Sequence, residues 1–255
     1  MLPRHRKPQV PAGQTIFVCP TVPRIPLIEG LTIGPVPAGS VLLAEFDAAS
    51  QWYNALTTIA AGWLKTGGKI QYYAFAQSPE SVRIHLLRLG VDSEELENNG
   101  ALEIWDWYTT TLGQVSKEKH KTDSLKVADL SIHVSQVRMR GPPAPDTLVI
   151  GEDISVLDRF NDEKNWIEYE LARSIPAFRI RNITSLRGVI RDVHSSSVYK
   201  KLESVSDGII DFRIKTESEE IVNMIRIRTM RNVGFNSRWH RLRISHENFE
   251  VTLEE

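Results

Sequence analysis

Cysteine is nearly missing: Cys19 stands alone in 255 residues, which excludes an internal disulfide framework and every multi-cysteine metal site. Long apolar runs are missing too, none approaching the roughly 18 residues that span a bilayer. The basic start Met1-Leu2-Pro3-Arg4-His5-Arg6-Lys7-Pro8 leads into prolines, not into the apolar core of a secretion signal. Both absences point to a soluble, cytoplasmic protein without a membrane partner. Charge of one sign is not in excess, 31 basic residues facing 32 acidic ones, so no global field attracts a polyanion. His85, His133, His194, His240 and His246 lack metal-ligand spacing, and no internal repeat is visible. Ser195-Ser196-Ser197 is no nucleophile elbow, and a helix cap accounts for it. Neither a metal nor a cofactor is expected.

What is present is alternation. Residues 1–23 read as a basic, proline-rich tail and residues 24–255 as one α/β domain, a length that buries a full core. Pro37-Ala38-Gly39-Ser40 turns into a first strand, Val41 to Ala44. Trp52, Ala55, Leu56, Ile59, Ala60 and Trp63 recur at helical spacing, and Gly67-Gly68 stops that helix. A strand follows from Lys69 to Phe75, then a helix opened by Ser78-Pro79-Glu80 and closed at Gly90. A short acidic helix spans Asp92 to Asn98, and a strand Ala101 to Trp105. Thr109 to Asp123 reads as a flexible surface loop. Helical signals run from Ser124 to Val137, broken by Gly141-Pro142-Pro143-Ala144-Pro145. Thr147 to Ile150 is a strand buried on both faces. Helices over Asp162 to Ser174 and Ser196 to Val205 flank a further segment, Leu186 to Val193. Four closely spaced strand-like runs close the chain: Gly208 to Ile214, Ile221 to Met230, Trp239 to Ile244 and Phe249 to Leu253. This order predicts a mainly parallel, helix-covered sheet extended by antiparallel strands at one edge.

Between the first strand and first helix lies Glu45-Phe46-Asp47-Ala48-Ala49-Ser50-Gln51-Trp52, where a phosphate-binding loop reads G-x-x-x-x-G-K-[ST]. Glycines there let backbone amides surround phosphate, lysine reaches the terminal phosphates and a hydroxyl holds Mg²⁺. The four defining positions hold Glu45, Ser50, Gln51 and Trp52. Gln51 is neutral, an indole cannot ligate a metal, and Glu45 and Asp47 add negative charge at a cost of roughly 1 kcal/mol or more per like-charge pair.

Further landmarks share the order of one family. They are Pro35-Val36-Pro37-Ala38-Gly39-Ser40, Tyr73-Ala74-Phe75-Ala76-Gln77-Ser78-Pro79-Glu80, Leu89-Gly90-Val91-Asp92, Ser206-Asp207-Gly208-Ile209-Ile210, and Met230-Arg231-Asn232 before Ser237-Arg238-Trp239-His240. Together they resemble the KaiC-like, RadA-like branch of the RecA superfamily, from about Arg24 onward. The resemblance implies a RecA-like sheet and a degenerate nucleotide site. The family's water-activating acidic pair falls on Ala76 and Gln77, and its metal-ordering aspartate falls at Gly151, with Glu152 and Asp153 next. Arg231 matches a basic residue that in relatives reaches a neighbouring subunit's nucleotide, and Thr229 stands where a lysine is common. Losing lysine, metal ligand and base together removes the positioning and charge on which phosphoryl transfer depends.

The resemblance thus implies a non-catalytic subunit, regulatory or scaffolding, partnered by itself or by an active RecA-fold ATPase. One alternative is an ATP-binding, weakly hydrolysing member of the family. Another is a recombinase-like paralogue that binds nucleic acid through Arg226, Arg228, Arg238, Arg241 and Arg243. The plainer readings are weighed beside these. Trp52 is core, Glu152 and Asp153 cap a helix or form a solvated turn, and the arginines guard an edge strand by pairing with Glu217, Glu219 and Glu220.

Overall fold

The computed structural model describes residues 25–139 and 146–254; the expected tail and the break at 141–145 lie outside them. Ten strands form one sheet. Its middle is parallel: β2 (Val41–Phe46) pairs with β7 (Thr184–Ile190) and β8 (Gly208–Glu217), and β7 with β6 (Thr147–Gly151). Beyond β6 come β3 (Lys69–Ala74), β4 (Leu102–Asp106) and β5 (His120–Lys121), also parallel. On the other side β9 (Glu220–Met230), β11 (His240–Ile244) and β12 (Val251–Leu253) continue antiparallel from β8. Two short strands, β1 (Thr32–Ile33) and β10 (Gly234–Phe235), pair separately. The expected mixed sheet is therefore present, with the segment around Leu186 as a central strand.

All six residues of β2 are buried, because helices cover both faces of the sheet. On one face α1 (Trp52–Lys65) packs with α2 (Pro79–Arg88), and Trp52, Leu56, Ile59 and Trp63 join Leu42, Phe46 and Leu186 in the larger core. Gly67, at a φ of 86°, lets the chain turn back after α1, and a Cβ on Gly68 would strike the Trp63 indole at 2.2 Å. Ser78 caps α2 by accepting from the Ser81 amide at 3.1 Å, and Asp92 caps α3 (Ser93–Asn98) from Glu95 at 3.1 Å.

The opposite face is covered by α5 (Val127–Met139), α6 (Glu163–Tyr169), α7 (Ile175–Ile180) and α8 (Ser196–Val205) around Leu43, Trp107, Leu157, Trp166 and Val189. Between α6 and α7 the helix widens to a π turn, Glu170–Ser174. Ser195 occupies the position before α8 without a side-chain capping bond; its amide donates to Glu163 Oε1 at 2.7 Å.

The segment from Thr109 to Asp123 is not the free loop its polarity suggests. It opens with α4 (Tyr108–Thr111), and β5 then joins the sheet edge. Buried Asp106 secures it: Oδ1 accepts from the Thr109 amide at 2.9 Å, while Oδ2 accepts from Thr109 Oγ1 and Ser116 Oγ, each at 2.6 Å. Arg83 clamps the same segment through Glu118 at 2.7 Å. Local polarity misleads here because one carboxylate satisfies three donors. Asp106→Ala is therefore expected to raise amide exchange across 107–123 while leaving β2 and β7 protected. Unchanged exchange in that segment contradicts this assignment.

Candidate functional site

The carboxyl ends of the parallel strands bring β2, β6, β7, β3 and β8 together where α1 begins, the usual place for a ligand in an open α/β sheet. The connection there is shorter than the sequence suggests. Glu45 and Phe46 remain in β2, paired with Val189 and Ile190, leaving only Asp47 to Gln51 as loop. Side chains alternate along a strand, so Phe46 joins the α1 face while Glu45, like Leu43, lies on the other. Glu45 thus does not stand beside the loop amides. It meets Arg228 Nη2 at 2.6 Å, with Arg213 at 3.7 Å, and burial raises its pKa while Arg228 pulls it back.

Asp47 is neutralised as well. Its Oδ2 accepts from the Ile214 amide at 2.9 Å, and its Oδ1 from Arg191 at 3.2 Å. The Ser50 amide closes a turn on the Asp47 carbonyl at 2.8 Å, and the Gln51 amide donates to Asn223 Oδ1 at 2.9 Å. The expected repulsion of a polyanion by Glu45 and Asp47 is corrected accordingly: both carboxylates have cationic partners.

Trp52 opens α1 and is fully buried. Its ring stacks on Phe46 with centroids 5.4 Å apart and meets Phe212 edge-on at 5.0 Å. Its indole N–H donates to the Glu152 carbonyl at 2.8 Å. Gly188 in β7 makes room for it, since a Cβ there would lie 2.8 Å from the indole and 2.2 Å from that carbonyl. The plain reading of Trp52 as core holds, and the indole spans the ends of β2, β7 and β8.

Glu152 follows the last residue of β6 and is fully buried, not a solvated turn. Its Oε1 accepts from the amides of Phe75, Ala76 and Gln77 at 2.6, 2.5 and 2.9 Å; its Oε2 accepts from Tyr72 Oη at 2.9 Å and Gln77 Nε2 at 3.3 Å. The two residues at the expected acidic positions, Ala76 and Gln77, therefore act through their backbone amides to hold this carboxylate. Asp153, also buried, caps the 3-10 turn Ile154–Arg159 through the Ser155 amide at 3.0 Å and contacts Tyr53 Oη at 3.4 Å. Burial raises Glu152 to about 7 against the pull of its amide and hydroxyl donors, and raises Asp153 to about 6. Tyr72, Tyr53 and Gly188 escape sequence reading because their contacts with 152–153 are non-local. Among the described residues no group of three or more acidic, histidine or cysteine side chains is placed to hold a metal ion.

The C-terminal arginines divide. Arg226 and Arg228 converge on buried Asp211, Arg226 at 2.8 Å, and Arg228 also reaches Glu203 on α8. These pairings, not Glu219 or Glu220, explain the alternation, and β9 is covered by β11 instead of forming an edge. Arg226 also stacks over Trp239 at 4.4 Å. Arg241 pairs with Glu217, whereas exposed Arg238 and Arg243 make no ion pair among the described residues. Arg231 contacts Asp207 at 3.6 Å, beside the starts of β2 and β8, one strand length or roughly 20 Å from the loop. It lies away from this chain's own loop, and the contact expected of it is with a neighbouring subunit.

Glu152 and Asp153 have folded-state pKa values above those of exposed carboxylates. Between the two values the native state binds more protons than the unfolded chain, so this contribution is full at low pH and is lost as pH rises toward about 7. Denaturant unfolding is expected to show stability falling between about pH 4.5 and 7, with a shallower slope in Glu152→Gln. An unchanged slope contradicts it.

The family described as ATPase: KaiC matches residues 55–255, beginning just past the Asp47–Gln51 loop. No curated protein sequence matches the chain. A KaiC-like protein of the hyperthermophilic archaeon Pyrococcus horikoshii OT3 has a crystal structure that superposes with a TM-score of 0.70 at 14% identity, covering 91% of this chain and 97% of that one. No helix among the described residues is long and apolar enough to cross a membrane. The family match and the sheet order together place this chain in the KaiC ATPase family, with its RecA-like fold.

Proposed function

We propose that this protein is a pseudo-ATPase, a regulatory or scaffolding subunit that assembles with itself or with an active ATPase of the same fold. The observation that carries the reading is Trp52, whose buried indole sits at the start of α1 and donates to the Glu152 carbonyl. Held against Phe46 and Phe212, that ring leaves no hydroxyl at the position where a phosphate-binding loop holds Mg²⁺. Supporting it, the buried Glu152 carboxylate is consumed by five donors, buried Asp153 caps the following turn, and no lysine lies in the loop. Positive charge and a metal ligand are what phosphoryl transfer demands, so turnover has no chemical support. The KaiC family match supports assembly, since KaiC-like ATPases typically oligomerise.

Calorimetry with Mg-ATP is expected to show no binding tighter than about 1 mM. Solution mass is expected to exceed that of one chain and to stay unchanged by nucleotide. Micromolar binding, or a monomer that assembles only with Mg-ATP, overturns the proposal.

Gln51→Lys with Trp52→Thr is expected to yield no ATPase activity, because Ala76 and Gln77 still lack a proton acceptor and Glu152 stays sequestered. Measurable turnover in that double variant contradicts this map of the site.

A further inference from the structure

On the sheet face opposite Trp52 lies a cavity that the nucleotide comparison does not explain. The centre of a water-sized sphere can move through about 40 Å³ of it. That is several times what one ordered water requires and leaves room for the atoms of one ring. Its floor is β3, β6 and β7, where Tyr73, Val149, Gly151 and Arg187 share one face. Its roof comes from α5, the end of α6, the π turn and α7, which bring His133, Tyr169, Glu170, Ser174 and Phe178. Gly151 keeps the floor low, since a Cβ there would reach Ile154 at 3.4 Å and Arg187 at 3.9 Å.

Three observations converge on this space. First, Arg187 and Glu170 form a buried ion pair inside an aromatic core, an arrangement whose desolvation commonly offsets its attraction. Arg187 also donates to Ser174 Oγ at 2.5 Å and lies over the Phe178 ring at 4.9 Å. Second, both Glu170 and Ser174 are presented by a π turn, an irregularity that recurs at functional sites. Third, the buried Trp107 indole lines the cavity, yet its N–H has no acceptor among the described residues. An unmet buried donor is costly, so an acceptor at this place has a recognisable use.

The pair is internally balanced, so a charged ligand would add an uncompensated charge to a low-dielectric site. The flat walls of Tyr73, Trp107, Phe75 and Phe178 favour a flat partner. We propose that this cavity binds a neutral, flat, single-ring ligand whose carbonyl accepts from the Trp107 indole N–H and from Arg187. Free pyrimidine bases and ring amides share that chemistry. The site is separate from the loop at Asp47–Gln51, and the proposal does not depend on whether nucleotide binds there. It supplies a regulatory subunit with a ligand of its own.

The test titrates the full chain with uracil, nicotinamide, benzoate and benzylamine, following heat and the indole N–H resonance of Trp107. Uracil or nicotinamide is expected to bind at least about tenfold tighter than the two charged rings and to move that resonance. Trp107→Phe, which keeps the ring and deletes the donor, is expected to weaken binding about two- to tenfold. Gly151→Ala, which raises the floor, is expected to weaken all binding. No binding below about 10 mM, charged rings binding equally well, or an unmoved Trp107 resonance overturns the proposal. The resonance decides the matter in the unaltered protein even where a variant fails to fold. Because none of these ligands carries phosphate, failure here leaves the pseudo-ATPase reading untouched, and Mg-ATP binding leaves this one untouched.

Discussion

One residue joins the halves of the site: Glu152 receives the Trp52 indole on its carbonyl and the amides of 75–77 on its carboxylate. Through it the start of α1, the end of β6 and the turn into α2 become one hydrogen-bonded unit around a buried carboxylate. In a low-dielectric interior each bond is strong and each lost partner expensive. Removing Trp52 exposes a backbone carbonyl and opens a ring-sized gap. Removing the carboxylate orphans three amides and a tyrosine. The arrangement therefore holds itself together through Glu152.

The surrounding charges follow the same logic. Glu45 and Asp211 are buried acids at the centre of an arginine cluster, with Arg228 bridging both and Arg213 and Arg226 alongside. Such a network neither repels a polyanion nor offers free cations to one, since each charge already has a partner. Its effect is to fix β8 and β9 against α8 through Glu203. The RecA-like frame is kept by packing and pairing, and Glu45, Asp47 and Glu152 each have partners within the chain.

Local pattern made much of this legible. The stripe from Trp52 to Trp63, the cap at Ser78, the double-buried run before Gly151 and the order of the last four strands are all short-range signals, and each produced its element. The departure of Gln51 and Trp52 from the residue types of a phosphate-binding loop is equally visible, because it is a matter of residue type. What escaped depends on long-range pairing. The face on which Glu45 lies, the grip of Asp106 on residues 109–116 and the convergence of Arg226 and Arg228 on Asp211 join positions far apart in the chain. The Arg187–Glu170 pair left only a faint trace, an arginine inside an apolar strand and a glutamate four residues after Trp166 on a buried helical stripe.

The central claim is that an indole and a sequestered carboxylate stand where a triphosphate and its metal would bind. A crystal structure determined in saturating Mg-ATP tests it most directly. The account predicts Trp52 in place, stacked on Phe46 and bonded to the Glu152 carbonyl, with no nucleotide over the Asp47–Gln51 amides. A triphosphate seated on those amides, with Trp52 displaced or Glu152 turned toward a metal, would contradict it.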